Sequence, residues 1–247
     1  MIALALTWTL VVCAPGYPGS RAEAQPTMDA LAQALSRESG LRIRAVYEET
    51  EAAGIQRLQA KDAPLLLSPL PFWFVHRAAL KLAPHLAAVP QGREALQRWA
   101  LVGGRGSDGS LEGYTVLSTA GYAAGFVHAI APGLPRDAKI EQTSSVLSAL
   151  RRAANGEKVV VLLDGAQAAA VQKLPFASQL KTLQTSAPVP DALLSSVTGR
   201  LDMRHMREIL QAFERLSRSE EGRAALAGAQ LSGFVAVDAK ALGALRP

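Results

Sequence analysis

The sequence predicts an α/β protein made of two doubly wound lobes joined by a two-stranded hinge. Three observations carry this. Short apolar runs alternate with amphipathic helical stretches along most of the 247 residues, the pattern of β-α-β units on a parallel sheet. The pattern breaks at Gly103-Gly104-Arg105-Gly106 and then starts again with the same grammar. A second break, Ser186-Ala187-Pro188-Val189-Pro190, precedes two closing helices. The chain is therefore expected to leave one lobe, build another and return. That gives residues 1–102 and 191–247 as lobe 1 and residues 103–190 as lobe 2.

In chain order, Trp8 to Cys13 reads as a short apolar strand, and Ala14 to Ser20 as its turn-rich exit. Met28, Leu31, Ala32 and Leu35 fall at i, i+3, i+4 and i+7, which predicts a helix over Pro26 to Ser36, with Gly40 suited to its end. Leu41 to Tyr47 alternates like a strand with one wet face. A short helix follows over Ala52 to Ala60, then a buried strand over Pro64 to Leu67 and a helix over Leu70 to Leu82. Trp99 to Val102 is the next strand. The second lobe then reads as strand Tyr114–Leu117, helix Ala120–Ala131, strand Lys139–Gln142, helix Ser145–Ala154, strand Lys158–Leu163, helix Ala166–Lys173 and strand Leu180–Thr185. Met203 to Ser217 and Glu220 to Ala227 are the closing helices.

The N-terminus has two readings. Ile2 to Val12 has the look of a signal-peptide core, with Ala22-Glu23-Ala24 as a small-x-small cleavage site. No Lys or Arg precedes Arg21, however, and Val12 is bulky for a lipoprotein box at Leu10 to Cys13. Counting elements favours a strand, because the first lobe needs one before the Pro26 helix. Met1 would then lie inside a longer reading frame with its export signal upstream.

Bulk composition narrows the function classes. Hydrophobic residues are 49% and charged residues 19%, an ordinary globular balance. The net charge of +5 is spread thinly, with no basic stripe interleaved with aromatics, so no nucleic-acid partner is expected. The single cysteine, Cys13, excludes an internal disulfide and a cysteine zinc site. His76, His85, His128 and His205 lack metal-ligand spacing. Gly104 to Gly109, GRGSDG, lacks the Lys-Ser/Thr of a phosphate-binding loop and reads as linker. With no nucleophile–base pair in view, the sequence points away from an enzyme and from any cofactor.

Ligands of open α/β sheets sit beyond the carboxyl ends of the strands. Those ends carry Pro15-Gly16-Tyr17, Ser68-Pro69, Ser118-Thr119-Ala120-Gly121 and Asp164-Gly165. Hydroxyls and helix N-terminal amides suit an oxyanion without any Arg or Lys. Ser118 and Thr119 also read simply as helix caps. Asp164 either caps the helix after Gly165 or lines a pocket, where it would accept from a protonated oxyanion or pair with a ligand amine. Tyr17 is either a hydroxyl donor over the ligand or a loop aromatic.

Several segments together resemble the periplasmic substrate-binding proteins of phosphate, phosphite and phosphonate ABC transporters, which have the type II periplasmic binding protein fold. They are LLLSPLPFWF, SLEGYTVLSTAGY, SSVLSALRRAANGEKVVVLLDG, TSAPVPDAL and SEEGRAALAGAQLSGFVAVD. The resemblance covers most of the chain. It implies a non-catalytic protein that holds an oxyanion between two lobes closing by hinge motion and delivers it to a membrane permease. It implies a monomer that is periplasmic or anchored on the outer side of the inner membrane. An orphan sensing or interaction module of the same fold, reporting to a partner such as a kinase, is the alternative. The implied ligand contacts are Ser118, Thr119 and the amides of Ala120 and Gly121, together with Tyr17, Ser68 and Asp164. The third position of the family's Ser-Thr-Ser loop is Ala120 here, and Ser144 or Ser145 stands near the place of a pocket His or Glu.

Overall fold

The computed structural model describes residues 6–17, 19–107, 110–243 and 245. Met1 to Ala5 of the signal-like segment, Pro18 of the first loop and Asp108-Gly109 of the glycine-rich linker lie outside these residues.

Strand β1 (Thr7–Cys13) is paired on both edges, parallel to β2 (Arg42–Glu48) and to β3 (Leu65–Pro69). Double-sided pairing explains its unbroken apolar run, Trp8 to Cys13, all buried. Between β1 and β2 runs α1 (Arg21–Ser39). Ser20 and Glu23 form a capping box at its start, and Gly40 ends it in the left-handed region at φ 71°. Helix α2 (Glu51–Gln59), capped by Thr50, leads to β3, and α3 (Leu70–His76) leads to β4 (Leu82–Pro90). The helix expected to reach Leu82 therefore stops at His76. Its continuation is a strand whose prolines, Pro84 and Pro90, hide the strand pattern.

The chain then forms β5 (Leu96–Gln97), β6 (Ala100–Gly104), β7 (Thr115–Ser118), α4 (Ala124–Ile130), β8 (Lys139–Gln142), α5 (Val146–Ala154), β9 (Val159–Leu163), α6 (Gly165–Val171), β10 (Leu180–Thr185) and β11 (Val189–Pro190). It closes with β12 (Ala192–Val197), α7 (Met203–Arg215), α8 (Glu220–Gly228), β13 (Leu231–Ala236) and α9 (Ala239–Gly243). The short strands β5 and β11 pair with each other.

Two compact units result. One comprises residues 1–15, 19–95 and 190–237, the other residues 16–18, 96–189 and 238–247. The first sheet has the order β13-β4-β12-β3-β1-β2, the second β10-β6-β9-β7-β8. Both sheets are mixed: β12 runs antiparallel to β3 and β4, and β6 antiparallel to β9 and β10. Trp99 to Val102, expected as the last strand of the first lobe, lies in the second sheet, most of it in β6.

In the first unit α1, α7 and α8 cover one sheet face. Leu10, Leu31, Leu35, Leu65, Phe213 and Leu216 are fully buried there, and Phe213 meets Phe234 edge-on at 4.8 Å. On the other face α2 lies close to β1: a Cβ on Gly54 would sit 2.3 Å from Cys13 Sγ. Burial pushes the Cys13 thiol up to about 12. Phe72, Trp73 and Phe74 are core residues, as their composition suggested. In the second unit Val102, Leu117, Val161 and Leu163 pack with Leu150 and Ala153 of α5, and Trp99 meets Phe126 of α4 edge-on at 5.0 Å.

Candidate functional site

In the second unit β7 is parallel to β8 and β9, with Ser118 in register with Gln142 and Leu162. The last residues of three strands are thereby brought to one end of the sheet. Ser118 is fully buried. Its hydroxyl donates to Leu162 O at 2.8 Å and accepts from Ala120 N at 3.2 Å. Its carbonyl accepts from Gly121 N at 3.1 Å and Thr143 N at 2.9 Å. The amides of Ala120 and Gly121, expected to face a ligand, are thus bonded to oxygens of Ser118. This local side-chain bonding competes with helix formation, so α4 begins at Ala124 and not at Ala120. The product is a tight Ser-Thr-Ala-Gly turn. A Cβ on Gly121 would fall 2.4 Å from the Glu141 carbonyl carbon, so glycine is required for the turn to lie against β8.

At the tip of that turn, Thr119 is 2% exposed and its hydroxyl has no hydrogen-bond partner among the described residues. Native structures hold few such groups, because an unsatisfied buried hydroxyl costs about 1–3 kcal/mol.

Asp164 follows β9. One carboxylate oxygen accepts from Gln167 N at 2.8 Å, while the Gln167 side chain accepts from Asp164 N, a capping box on α6. The other oxygen accepts from the Tyr17 hydroxyl at 2.9 Å. Asp164 therefore caps its helix and also anchors an aromatic 147 residues away in sequence. Beside Tyr17, Gly16 has φ +83°, and a Cβ there would lie 2.2 Å from Thr119 O. Gly16 and Tyr17 thus pack on the strand ends of the second unit, against the Thr119 turn and Asp164. Gln142 Nε2 would stand 3.0 Å from that same Cβ. Gln142 was absent from the sequence expectation. Its place as the last residue of β8 was the available signal, but only the strand register brings it beside Ser118.

In the first unit Ser68 lies near the carboxyl end of β3. It is 1% exposed and its hydroxyl also has no partner among the described residues. The Leu70 amide just beyond donates to Asp191 O at 2.9 Å. Ser195 on β12, buried and unpartnered, was missed by sequence reasoning. It pairs with Leu66 while Ser68 pairs with Leu193, so both serines share one sheet face.

Other singled-out residues have structural partners. His76 meets Glu51 at 2.7 Å, Arg152 meets Glu157 at 2.8 Å, and Arg151 lies over the Phe176 ring. Asp62 accepts from Arg57, Arg44 and Thr9, and these bonds hold its carboxyl well below the usual carboxylate range. Among the described residues no group of three His, Cys, Asp or Glu side chains is placed to hold a metal. Among them, too, no helix is long and apolar enough to cross a membrane.

Two units, each a sheet flanked by helices, with the chain passing from the first into the second and back, make up the type II periplasmic binding protein fold. The family described as ABC transporter, phosphonate, periplasmic substrate-binding protein has a model that matches residues 18–242, and the chain belongs to that family. Its members are solute-binding proteins, not enzymes. Among solved structures, a Xanthomonas citri protein bound to chloride ion is similar at a TM-score of 0.73 and 15% identity, covering 96% of this chain and 94% of that one. The binding-protein component of a Pseudomonas aeruginosa ABC phosphonate transporter gives 0.63 and 17%, covering 95% and 83%. PhnD1 of Prochlorococcus marinus in complex with methylphosphonate gives 0.60 and 13%, covering 94% of each chain. No curated protein sequence matches the chain.

Proposed function

We propose that this protein captures a phosphorus oxyanion, namely phosphate, phosphite or a phosphonate, and delivers it to the permease of an ABC transporter as a periplasmic or outer-face monomer. The observation that carries this reading is the Thr119 hydroxyl: buried, unpartnered, and presented by a Ser-Thr-Ala-Gly turn at a strand end. A ligand oxygen accepting from Thr119 removes the cost of that unsatisfied donor. Ser68, a buried hydroxyl near the carboxyl end of β3 in the first unit, is kept as a candidate ligand contact of that unit. Ser118, Ala120 and Gly121 frame the turn. Asp164 and Tyr17 complete the site: the carboxylate has lone pairs to accept from a protonated oxyanion, which favours hydrogen phosphate or a phosphonate monoanion over sulfate. Family membership and the methylphosphonate complex of the Prochlorococcus marinus neighbour support the same ligand class.

The test is a thermal-shift screen of the protein against phosphate, phosphite, methylphosphonate, 2-aminoethylphosphonate and sulfate. At 100 times its dissociation constant a ligand adds about 2.7 kcal/mol to stability. A shift with a phosphorus oxyanion but not with sulfate is expected. A protein that responds to none of them, or to sulfate equally, does not have this function.

A further inference from the structure

The second unit carries a cavity of about 380 Å³ at the pole opposite the carboxyl ends of its parallel strands β7, β8 and β9. It is lined in part by Gly104, Arg105, Ser107, Tyr114 and Glu157. Gly104 ends β6, Tyr114 precedes β7 and Glu157 precedes β9. The Thr119 turn and Asp164 stand at the other end of β7 and β9, roughly 15 Å away for strands rising about 3.3 Å per residue. The cavity is therefore separate from the oxyanion site, and the inference does not rest on that reading.

Its walls are fixed by the backbone. Arg105 N donates to Gln179 O at 2.7 Å, and Ser107 N to Gly104 O at 2.9 Å. Gly104 fits against α5 only because it has no side chain, since a Cβ there would lie 2.3 Å from Ala153 O. Ser107 is buried. These contacts turn the glycine-rich stretch, read from sequence as a linker, into one side of a formed cavity.

The lining chemistry is uneven. Among the described residues nothing pairs with the Arg105 guanidinium or the Tyr114 hydroxyl. The Glu157 carboxylate, in contrast, is held by Arg152 at 2.8 Å. A planar guanidinium left unpaired among the described residues matches a carboxylate in a two-point contact. Glu157 on the rim disfavours a second negative charge on the ligand. The hydroxyl of Tyr114 suits a hydroxyl or amino group near that carboxylate. We infer that this cavity is a second binding site, selective for a small hydroxylated or amino monocarboxylate held by Arg105.

The experiment is a titration of the full chain with glycolate, L-lactate, L-serine and inorganic phosphate, followed by amide proton–nitrogen correlation spectra. Saturable shifts at Arg105, Ser107 and Gly156 with at least one of the three carboxylates are expected. Arg105→Gln should weaken that binding about tenfold or more, the scale of one lost charge-assisted contact. Arg105 is exposed, so the variant should fold, and unchanged spectra elsewhere verify this. Thr119→Val should leave the carboxylate response intact while changing any response to phosphorus oxyanions. The proposal is overturned if no carboxylate gives a saturable response, if Arg105→Gln binds as tightly as the native chain, or if the shifts map to Thr119 and Asp164. It also fails if phosphate occupies the Arg105 cavity more tightly than every carboxylate.

Discussion

Thr119→Val separates a ligand-binding hydroxyl from a structural one. Valine keeps the branched shape and removes only the donor. In the native chain that donor is 2% exposed and has no partner, so the folded state bears a desolvation cost of about 1–3 kcal/mol with no bond to offset it. The variant should therefore be as stable as the native chain or more so, by up to about 1–2 kcal/mol, a rise of roughly 2–8 °C at this chain length. Ligand affinity should move the other way. Losing one hydrogen bond to a charged oxygen costs about 1.5–3 kcal/mol, a factor of roughly 10 to 150. Ser118→Ala is the control. Its hydroxyl makes two bonds, to Leu162 O and from Ala120 N, so its loss should lower stability by about 1–3 kcal/mol. The assays are thermal unfolding of the free protein and calorimetric titration with the best oxyanion from the screen. If Thr119→Val lowers stability by more than about 1 kcal/mol and leaves affinity unchanged, the reasoning is refuted, because the hydroxyl would then be bonded within the protein.

Three further outcomes follow from the packing and charges. Gly54→Ala places a Cβ 2.3 Å from Cys13 Sγ and should destabilise by about 1–3 kcal/mol; Cys13→Ala in the same chain should restore part of that loss in urea unfolding. Asp164→Ala removes both the cap of α6 and the acceptor of the Tyr17 hydroxyl and should cost about 1–3 kcal/mol, whereas Tyr17→Phe removes only the bond to Asp164 and should cost less, about 0.5–1.5 kcal/mol; the ranking is read from thermal midpoints. Asp62 has a lowered folded-state pKa, so its stabilisation is full above the unfolded value near pH 4 and fades as pH falls below it. The stability gap between the native chain and Asp62→Asn should therefore be present at pH 7 and narrow steadily below about pH 4 in denaturant titrations.

Three strands of the parallel halves were legible because they are paired on both edges and so read as apolar runs. β1, β3 and β9 all announce themselves this way. The antiparallel strands of the first sheet, β4, β12 and β13, did not, whereas β6 and β10 of the second sheet were read from sequence. β4 carries Pro84 at the point where its pairing with β12 slips register between Leu194 and Ser195, and proline inside a run argues against a strand unless a bulge accommodates it. β12 and β13 contain Ser195, Ser196 and Gly233, which break the alternation. The turn at Ser118 to Gly121 was visible as composition, but its bonding was not: Ser118 spends its hydroxyl on Leu162, 44 residues on. Gln142 and the Tyr17–Asp164 bond depend on register and long-range packing, which no local pattern encodes.

Strand β1 also bears on how the gene is handled. Cutting the chain after Ala24, as a signal-peptide reading invites, would remove a strand that makes seven register pairs with β2 and three with β3. It would leave β2 and β3 without the strand between them and uncover the side of the core that Leu10 closes. The capping box of α1 would go too. A gene trimmed at that point would yield aggregate rather than mature protein, and a failed purification of such a product would report on the missing strand, not on the native fold.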